Sequence, residues 1–264
     1  MTLIEVKQVS KYYGDTVVLE KLDFRVQAGE FCTLVGTSGC GKTTFLRMLL
    51  GEERPSRGAI LVDGQPLPAE PGPDRGVVFQ RYSVMPHLSV LGNVMLGPEL
   101  KHGGVFGRCF GARRRAIRTE AEALLQAVGL QHALHRFPAE LSGGMQQRLA
   151  IAQALIMKPR ILLLDEPFGA LDPGIRADMH ELVLRLWRET GVTIFMVTHD
   201  LKEGFSLGTR LLVFDKIRRD PQAPNAYGAT ITYDLPLKQA DRSVKDAIAS
   251  EVGLTRQLLA GVSP

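Results

Sequence analysis

The chain has 264 residues, enough for one large domain or a domain with a lobe, and enough to bury a sizeable core. Hydrophobic residues make up 45% of it, yet there is no run of about 18 uncharged apolar residues that would span a bilayer as a helix. The 32 basic and 28 acidic residues leave a net charge of only +4, too weak to argue for nucleic acid, and Cys32, Cys40 and Cys109 have neither metal-ligand spacing nor an even disulfide framework.

Residues 1–7 alternate polar and apolar and carry charge early, so they read as a first strand rather than a signal peptide, and the expected compartment is the reducing cytoplasm. Short strands with turn signals follow at 4–9, 17–19, 22–26 and 60–62, the last before an Asp63-Gly64 turn. A solid apolar strand at 31–35 runs into GTSGCGKTT and then a helix over 42–50 that stops at Gly51. Another short buried strand is expected at 77–79. From 82 to 159 the pattern becomes helical, clearest over 116–128 and 145–157.

Within that lobe, 101–118 holds six Lys or Arg and no acid. A solvated loop opening a helix is one reading; contact with anionic headgroups is the sharper one. Strand signals return at 161–164, 193–197 and 211–214, alternating with a helix over 178–189, which predicts a parallel sheet flanked by helices with ligands at the carboxyl ends of its strands. Beyond 215 come turn residues, the strand-like ATITYDL, and a helix-compatible end over 243–259.

Gly36 to Thr44 fits G-x-x-x-x-G-K-[ST], following a strand and opening a helix as that phosphate-binding loop requires. Its glycines let backbone N–H groups point at phosphates, and the helix start adds a favourable dipole. Lys42 is placed to hold the β- and γ-phosphates, and Thr43 to set its hydroxyl on Mg²⁺. Thr44 and the amides of Gly39, Cys40 and Gly41 are further phosphate donors, within a loop that also includes Thr37 and Ser38. Four apolar residues then deliver Asp165 and Glu166 to the end of a buried strand. Asp165 suits Mg²⁺ held through water, and Glu166 suits a general base that polarises the water attacking the γ-phosphate. The segment LSGGMQQR at 141–148 reads locally as a helix start, with Ser142 as N-cap and glycines for close packing; the same helix start suits an anion.

Taken with the phosphate loop and the Asp165-Glu166 pair, LSGGMQQR makes the chain resemble the ATP-binding subunits of ABC transporters, over about residues 4–214. The resemblance implies an α/β P-loop NTPase fold with a RecA-like core, an N-terminal antiparallel β subdomain and a helical subdomain. Residues 1–264 are then one ABC ATPase domain: 1–81 and 160–214 form the core with its β subdomain, 82–159 the helical signature subdomain, and 215–264 a C-terminal extension. It also assigns roles by matching position. Tyr13 stacks on adenine, Gln80 touches Mg²⁺ and the attacking water, and His199 hydrogen-bonds the γ-phosphate. Asp172 lies in the segment that crosses a dimer interface, where Gly169 stands in place of the Ser of many relatives. Ser142, Gly143 and Gly144 donate to the γ-phosphate of an ATP held by a partner's Lys42 loop.

An ATPase with ATP and Mg²⁺ as cofactors is thus expected, working as a homodimer on integral membrane permease subunits and, through them, with a periplasmic or extracellular solute-binding protein. It would be peripheral, at the cytoplasmic face of the cell membrane, with no nucleic acid partner. PFGALD and LSGGMQQRLAIAQAL resemble the nitrate, sulfonate and taurine importer group, and the tail FDKIRRDPQAPNAYGATITYDLPL resembles relatives serving urea or guanidine uptake. A soluble ABC ATPase of DNA repair or the ribosome is the competing class. The stretch between Lys42 and Asp165 lacks the long coiled coil of the former, and no internal repeat suggests the two ATPase units of the latter. An export or lipid-transport motor shares the same motifs.

Overall fold

The computed structural model describes residues 2–80, 83–103, 109–218, 220–223 and 225–237. In chain order the strands are β1 (Thr2–Tyr13), β2 (Thr16–Gln27), β3 (Phe31–Gly36), β4 (Arg57–Val62), β5 (Gln65–Pro66), β6 (Arg75–Val78), β7 (Ile161–Asp165), β8 (Thr193–Val197), β9 (Arg210–Asp215) and β10 (Thr230–Pro236). The α-helices are α1 (Lys42–Leu50), α2 (Val90–His102), α3 (Gly111–Ala127), α4 (Gly143–Leu155), α5 (Pro173–Thr190) and α6 (Leu201–Leu207). Close contacts group the chain into two compact units, residues 1–72 with 193–264, and residues 73–192.

The first unit carries an antiparallel sheet in the order β2-β1-β4-β5. Alternation in β2 sends Leu22, Phe24 and Val26 inward and Lys21, Asp23 and Arg25 outward, as a one-sided sheet requires. The sequence suggests a break in this strand near Lys21; instead it runs through. Lys21 takes φ 48° and its amide donates to Ser10 Oγ at 3.0 Å, so a bulge absorbs the irregularity while the backbone donor stays satisfied.

In the same unit β3 pairs in parallel with both β8 and β9, and β10 adds antiparallel to β9. Every residue of β3 and β8 is buried, the pattern of strands covered on both faces. The α1 helix is pinned here by Phe45, whose ring lies 5.7 Å from Phe24 of the antiparallel sheet, 6.2 Å from Phe195 and 5.8 Å from Phe214. Aromatic contact on two sheets at once fixes where the helix begins. Strand β10 realises the expected ATITYDL strand, while the helix-compatible stretch 243–259 lies outside the described residues.

The second unit pairs β6 and β7 in parallel and packs them with α2 to α5. By their contacts, strands 75–78 and 161–165 fall in this second unit. Helix α4 fits closely on β6: a Cβ on Gly76 would meet Ala154 O at 3.0 Å. Asn93 braces the start of α2 by accepting from the Met85 amide at 2.7 Å and donating to Met85 O at 3.0 Å and Leu88 O at 2.9 Å.

Candidate functional site

The phosphate loop leaves β3 at Gly36 and ends where Gly41 caps α1. Gly41 has φ 88° and ψ 9°, and a Cβ there would lie 2.7 Å from Leu19 Cδ2 and 2.9 Å from Val18 Cγ1, so both backbone and space demand glycine. With no side chain capping α1 and no acid in its first turn, the first amides of the helix keep their positive pole for an anion. Lys42 is only 6% exposed, and its Nζ donates to Gly36 O and Thr37 O, both at 2.9 Å. The loop thus curls around its own ammonium. Thr43 is exposed and Thr44 half-buried. Cys40 contributes its backbone to the loop, but its thiol is buried 3.5 Å from Lys42 Nζ; burial pushes the thiol's pKa up, against the opposing pull of Lys42.

Two further candidate residues belong to this unit. Tyr13 ends β1 and is 45% exposed, and its hydroxyl donates to Glu53. Lys11 lies 4.9 Å over the ring and pairs with Glu53 at 3.0 Å, and the Thr44 hydroxyl also bonds Tyr13. Partial burial and then Glu53 raise the phenol pKa. Glu53 itself, although burial raises it, is held below the usual carboxylate range by the hydrogen bonds from Tyr13 and Lys11. A flat aromatic is therefore held beside the phosphate loop with part of its surface open, as purine stacking needs.

His199 is exposed one residue past Thr198, whose amide donates to Leu34 O at 3.1 Å, so it stands at the carboxyl end of the strand beside β3. Asp200 caps α6 by accepting from Lys202 and Glu203 amides, and Thr198 bonds the buried Glu203 side chain, which fixes the backbone on both sides of the histidine.

The second unit holds the remaining candidates. Val78 is in register with Leu164, so Gln80, two residues past the end of β6, emerges at the same end of the strand pair as Asp165 and Glu166. Gln80 is exposed and the two acids are half-buried. Glu166 adopts φ 47°, a strained left-handed conformation for a side chain of its size, and such outliers concentrate at functional sites.

Ser142 caps α4, its Oγ accepting from the Met145 amide at 3.4 Å, and Ser142 and Gly143 are exposed. A Cβ on Gly144 would lie 2.7 Å from Ile175 Cγ2, which brings α4 against the first turn of α5. Asp172 occupies the N-cap position of α5, exposed, yet makes no capping hydrogen bond to that helix. Exposed Ser142, Gly143 and Asp172 thus gather around two adjacent helix starts.

Tyr13, the 36–44 loop and His199 share the first unit; Gln80, Asp165, Glu166, Ser142, Gly143, Gly144 and Asp172 share the second. Sequence reasoning overlooked Glu53, Lys11, Asp200 and Glu203, which orient Tyr13 and His199. Asp200 carried a signal, as an acid directly before a short amphipathic run. Glu53 carried none, because its partner is 40 residues away. Among the described residues no cluster of three or more His, Cys, Asp or Glu is poised to hold a metal alone.

Comparison with known proteins bears on the family of the chain. The ABC transporter family profile matches residues 19–169. The chain is 42% identical over 217 residues to a spermidine/putrescine import ATP-binding protein of Nitrosomonas eutropha, covering 81% of this chain and 57% of the relative. It is 38% identical over 237 residues to a nitrate import ATP-binding protein of Synechococcus elongatus, covering 88% and 81%. It therefore spans a little over half the length of the first relative. Among solved structures, the dimeric structure of a bacterial ABC transporter cassette superposes with a TM-score of 0.71 at 29% identity, covering 89% of this chain and 99% of that one. With the matched profile spanning the phosphate loop, the signature helix and the Asp165-Glu166 strand, the chain belongs to the ABC transporter family, as one of its ATP-binding cassettes.

Proposed function

We propose that the chain is the ATP-hydrolysing motor of an ABC importer for a small polar solute, of the nitrate, sulfonate and taurine kind or the urea and guanidine kind. The observation that carries this reading is the exposed start of α4. A capped helix N-terminus with Ser142 and Gly143 facing outward is an anion site, and it stands in the second unit while the Lys42 loop stands in the first. Two copies related by a two-fold axis would let each signature serve the ATP on its partner's loop. Import follows the names of the relatives, whose solutes include both polyamine cations and nitrate; the solute is accordingly selected by membrane subunits, at whose cytoplasmic face the motor works. No helix among the described residues is long and apolar enough to cross a membrane.

Thr43, Asp165 and Gln80 offer hydroxyl, carboxylate and carboxamide oxygens, the hard donor set that suits Mg²⁺. When bound, that ion would neutralise charge on the phosphates. Lys42 would grip the β- and γ-phosphates, Tyr13 the adenine, and His199 the γ-phosphate. Glu166 would polarise the attacking water, its strained backbone setting the carboxylate's direction. Loss of the γ-phosphate removes contacts made only by the closed dimer and lets it reopen. Glu166→Gln tests the assignment: it should keep ATP binding, abolish turnover and trap a dimer detectable by size exclusion, and normal hydrolysis in that variant would refute the base.

A further inference from the structure

The start of α3 breaks the usual rules for a helix N-terminus. Its N-cap is Phe110, which offers no capping oxygen and is 74% exposed, and its first turn contains no acid. Arg113, Arg114 and Arg115 follow instead, all exposed, where the helix dipole already places positive charge. Such local violations mark positions where something other than folding is served. Arg114 pairs with Glu99 of α2 at 2.9 Å, and Cys109 Sγ contacts Glu99 O at 3.7 Å, so the end of α2 is tied to the start of α3.

That tie brings Leu100, 60% exposed, and Lys101 to the same end of the helix pair as Phe110. Among the described residues Lys101, Arg113 and Arg115 make no ion pair. Side chains on a helix lean toward its N-terminus, so both arginines reach toward the Phe110 end. The result is two large exposed apolar groups set among three cations, Lys101, Arg113 and Arg115, for which no acid partner lies among the described residues.

We propose that this end of the α2–α3 pair, built from Leu100, Lys101, Phe110, Arg113 and Arg115, docks onto an anionic lipid surface. Apolar side chains enter the headgroup boundary while cations pair with phosphates, and those phosphates also satisfy the uncapped amides and positive pole of α3. Nucleic acid would use the cations and could stack on Phe110, but has no use for an exposed leucine. The inference stands independently of the ATPase assignment, since no residue of the patch belongs to the nucleotide site.

The test is co-sedimentation of the full chain with vesicles of phosphatidylcholine alone or mixed with phosphatidylglycerol, at low and high salt. Binding to the mixed vesicles, weakened by salt, is expected. The combined variant Lys101→Gln, Arg113→Gln, Arg115→Gln should bind about a hundredfold more weakly, and Phe110→Ser about tenfold. Circular dichroism melting should show both variants folded. Equal binding to pure phosphatidylcholine, no binding at all, or undiminished binding by the folded variants would overturn the proposal. So would tight, arginine-dependent binding of single-stranded RNA without vesicle binding.

Discussion

Replacing Gly41 with alanine separates two costs that the phosphate loop imposes on its glycines, provided Gly39→Ala is measured beside it. Both positions have similar left-handed backbones, φ 88° at Gly41 and 78° at Gly39. A Cβ costs about 1–2 kcal/mol in that region. Their surroundings differ: at Gly39 a Cβ would meet nothing within 4 Å, whereas at Gly41 it would meet Leu19 Cδ2 at 2.7 Å and Val18 Cγ1 at 2.9 Å. Leu19 is fully buried, so its side chain has little room to yield and the strain passes to β2 or the start of α1. Overpacking of this kind adds about 1–3 kcal/mol. Gly39→Ala should therefore destabilise by about 1–2 kcal/mol and Gly41→Ala by about 2–5 kcal/mol. Urea unfolding without nucleotide, followed by circular dichroism, measures the difference. Equal losses, or a larger loss for Gly39→Ala, would refute the claim that packing against β2 shapes the loop.

Further outcomes are expected at three residues. Ser142→Arg should leave ATP binding by the monomer intact, because the Lys42 loop does not use Ser142, yet prevent dimer-dependent hydrolysis; unchanged turnover at high protein concentration would sink the trans arrangement. The thiol of Cys40 should alkylate slowly near neutral pH and, once modified, block nucleotide binding, since the added group would crowd Lys42 Nζ. Its raised pKa means the unfolded state loses this proton first, so the folded protein should lose stability as pH rises above the ordinary thiol value of 9.0, and Cys40→Ser should flatten that loss. Arg210 grips Asp234 through two bonds of 2.6 Å and also reaches Glu30, anchoring β10 to β9. Arg210→Met should cost about 1–3 kcal/mol and expose residues near 230–237 to proteolysis; unaltered cleavage would contradict the anchoring role.

Much of the fold was legible wherever the governing physics is local. Strand β8 and helix α1 fall where periodicity and the Gly51 stop put them, because burial on both faces and a left-handed C-terminal glycine are each written in neighbouring residues. The α2 helix carried a weaker signal: Gly92, Gly97 and Pro98 interrupt its pattern, and Gly97 is wanted for space, a Cβ there falling 3.1 Å from Met157 Sδ. Short α6 escaped notice because seven residues hold too few periods to register. In β2 the break expected at Lys21 is a bulge, and only the cross-strand bond to Ser10 reveals that.

By itself the sequence determined the phosphate loop, the acid pair and the signature, since each is a contiguous stretch whose backbone geometry and donor atoms come from adjacent residues. Tertiary structure alone decided how those stretches are held. Glu53 reaches Tyr13, Asp200 and Glu203 steady His199, Cys40 turns its thiol inward, and Phe110 stands exposed near Arg113 and Arg115, which pair with no acid among the described residues. These depend on register and packing between residues far apart in the chain, where the cost of a contact is set by shape and burial that local pattern does not encode.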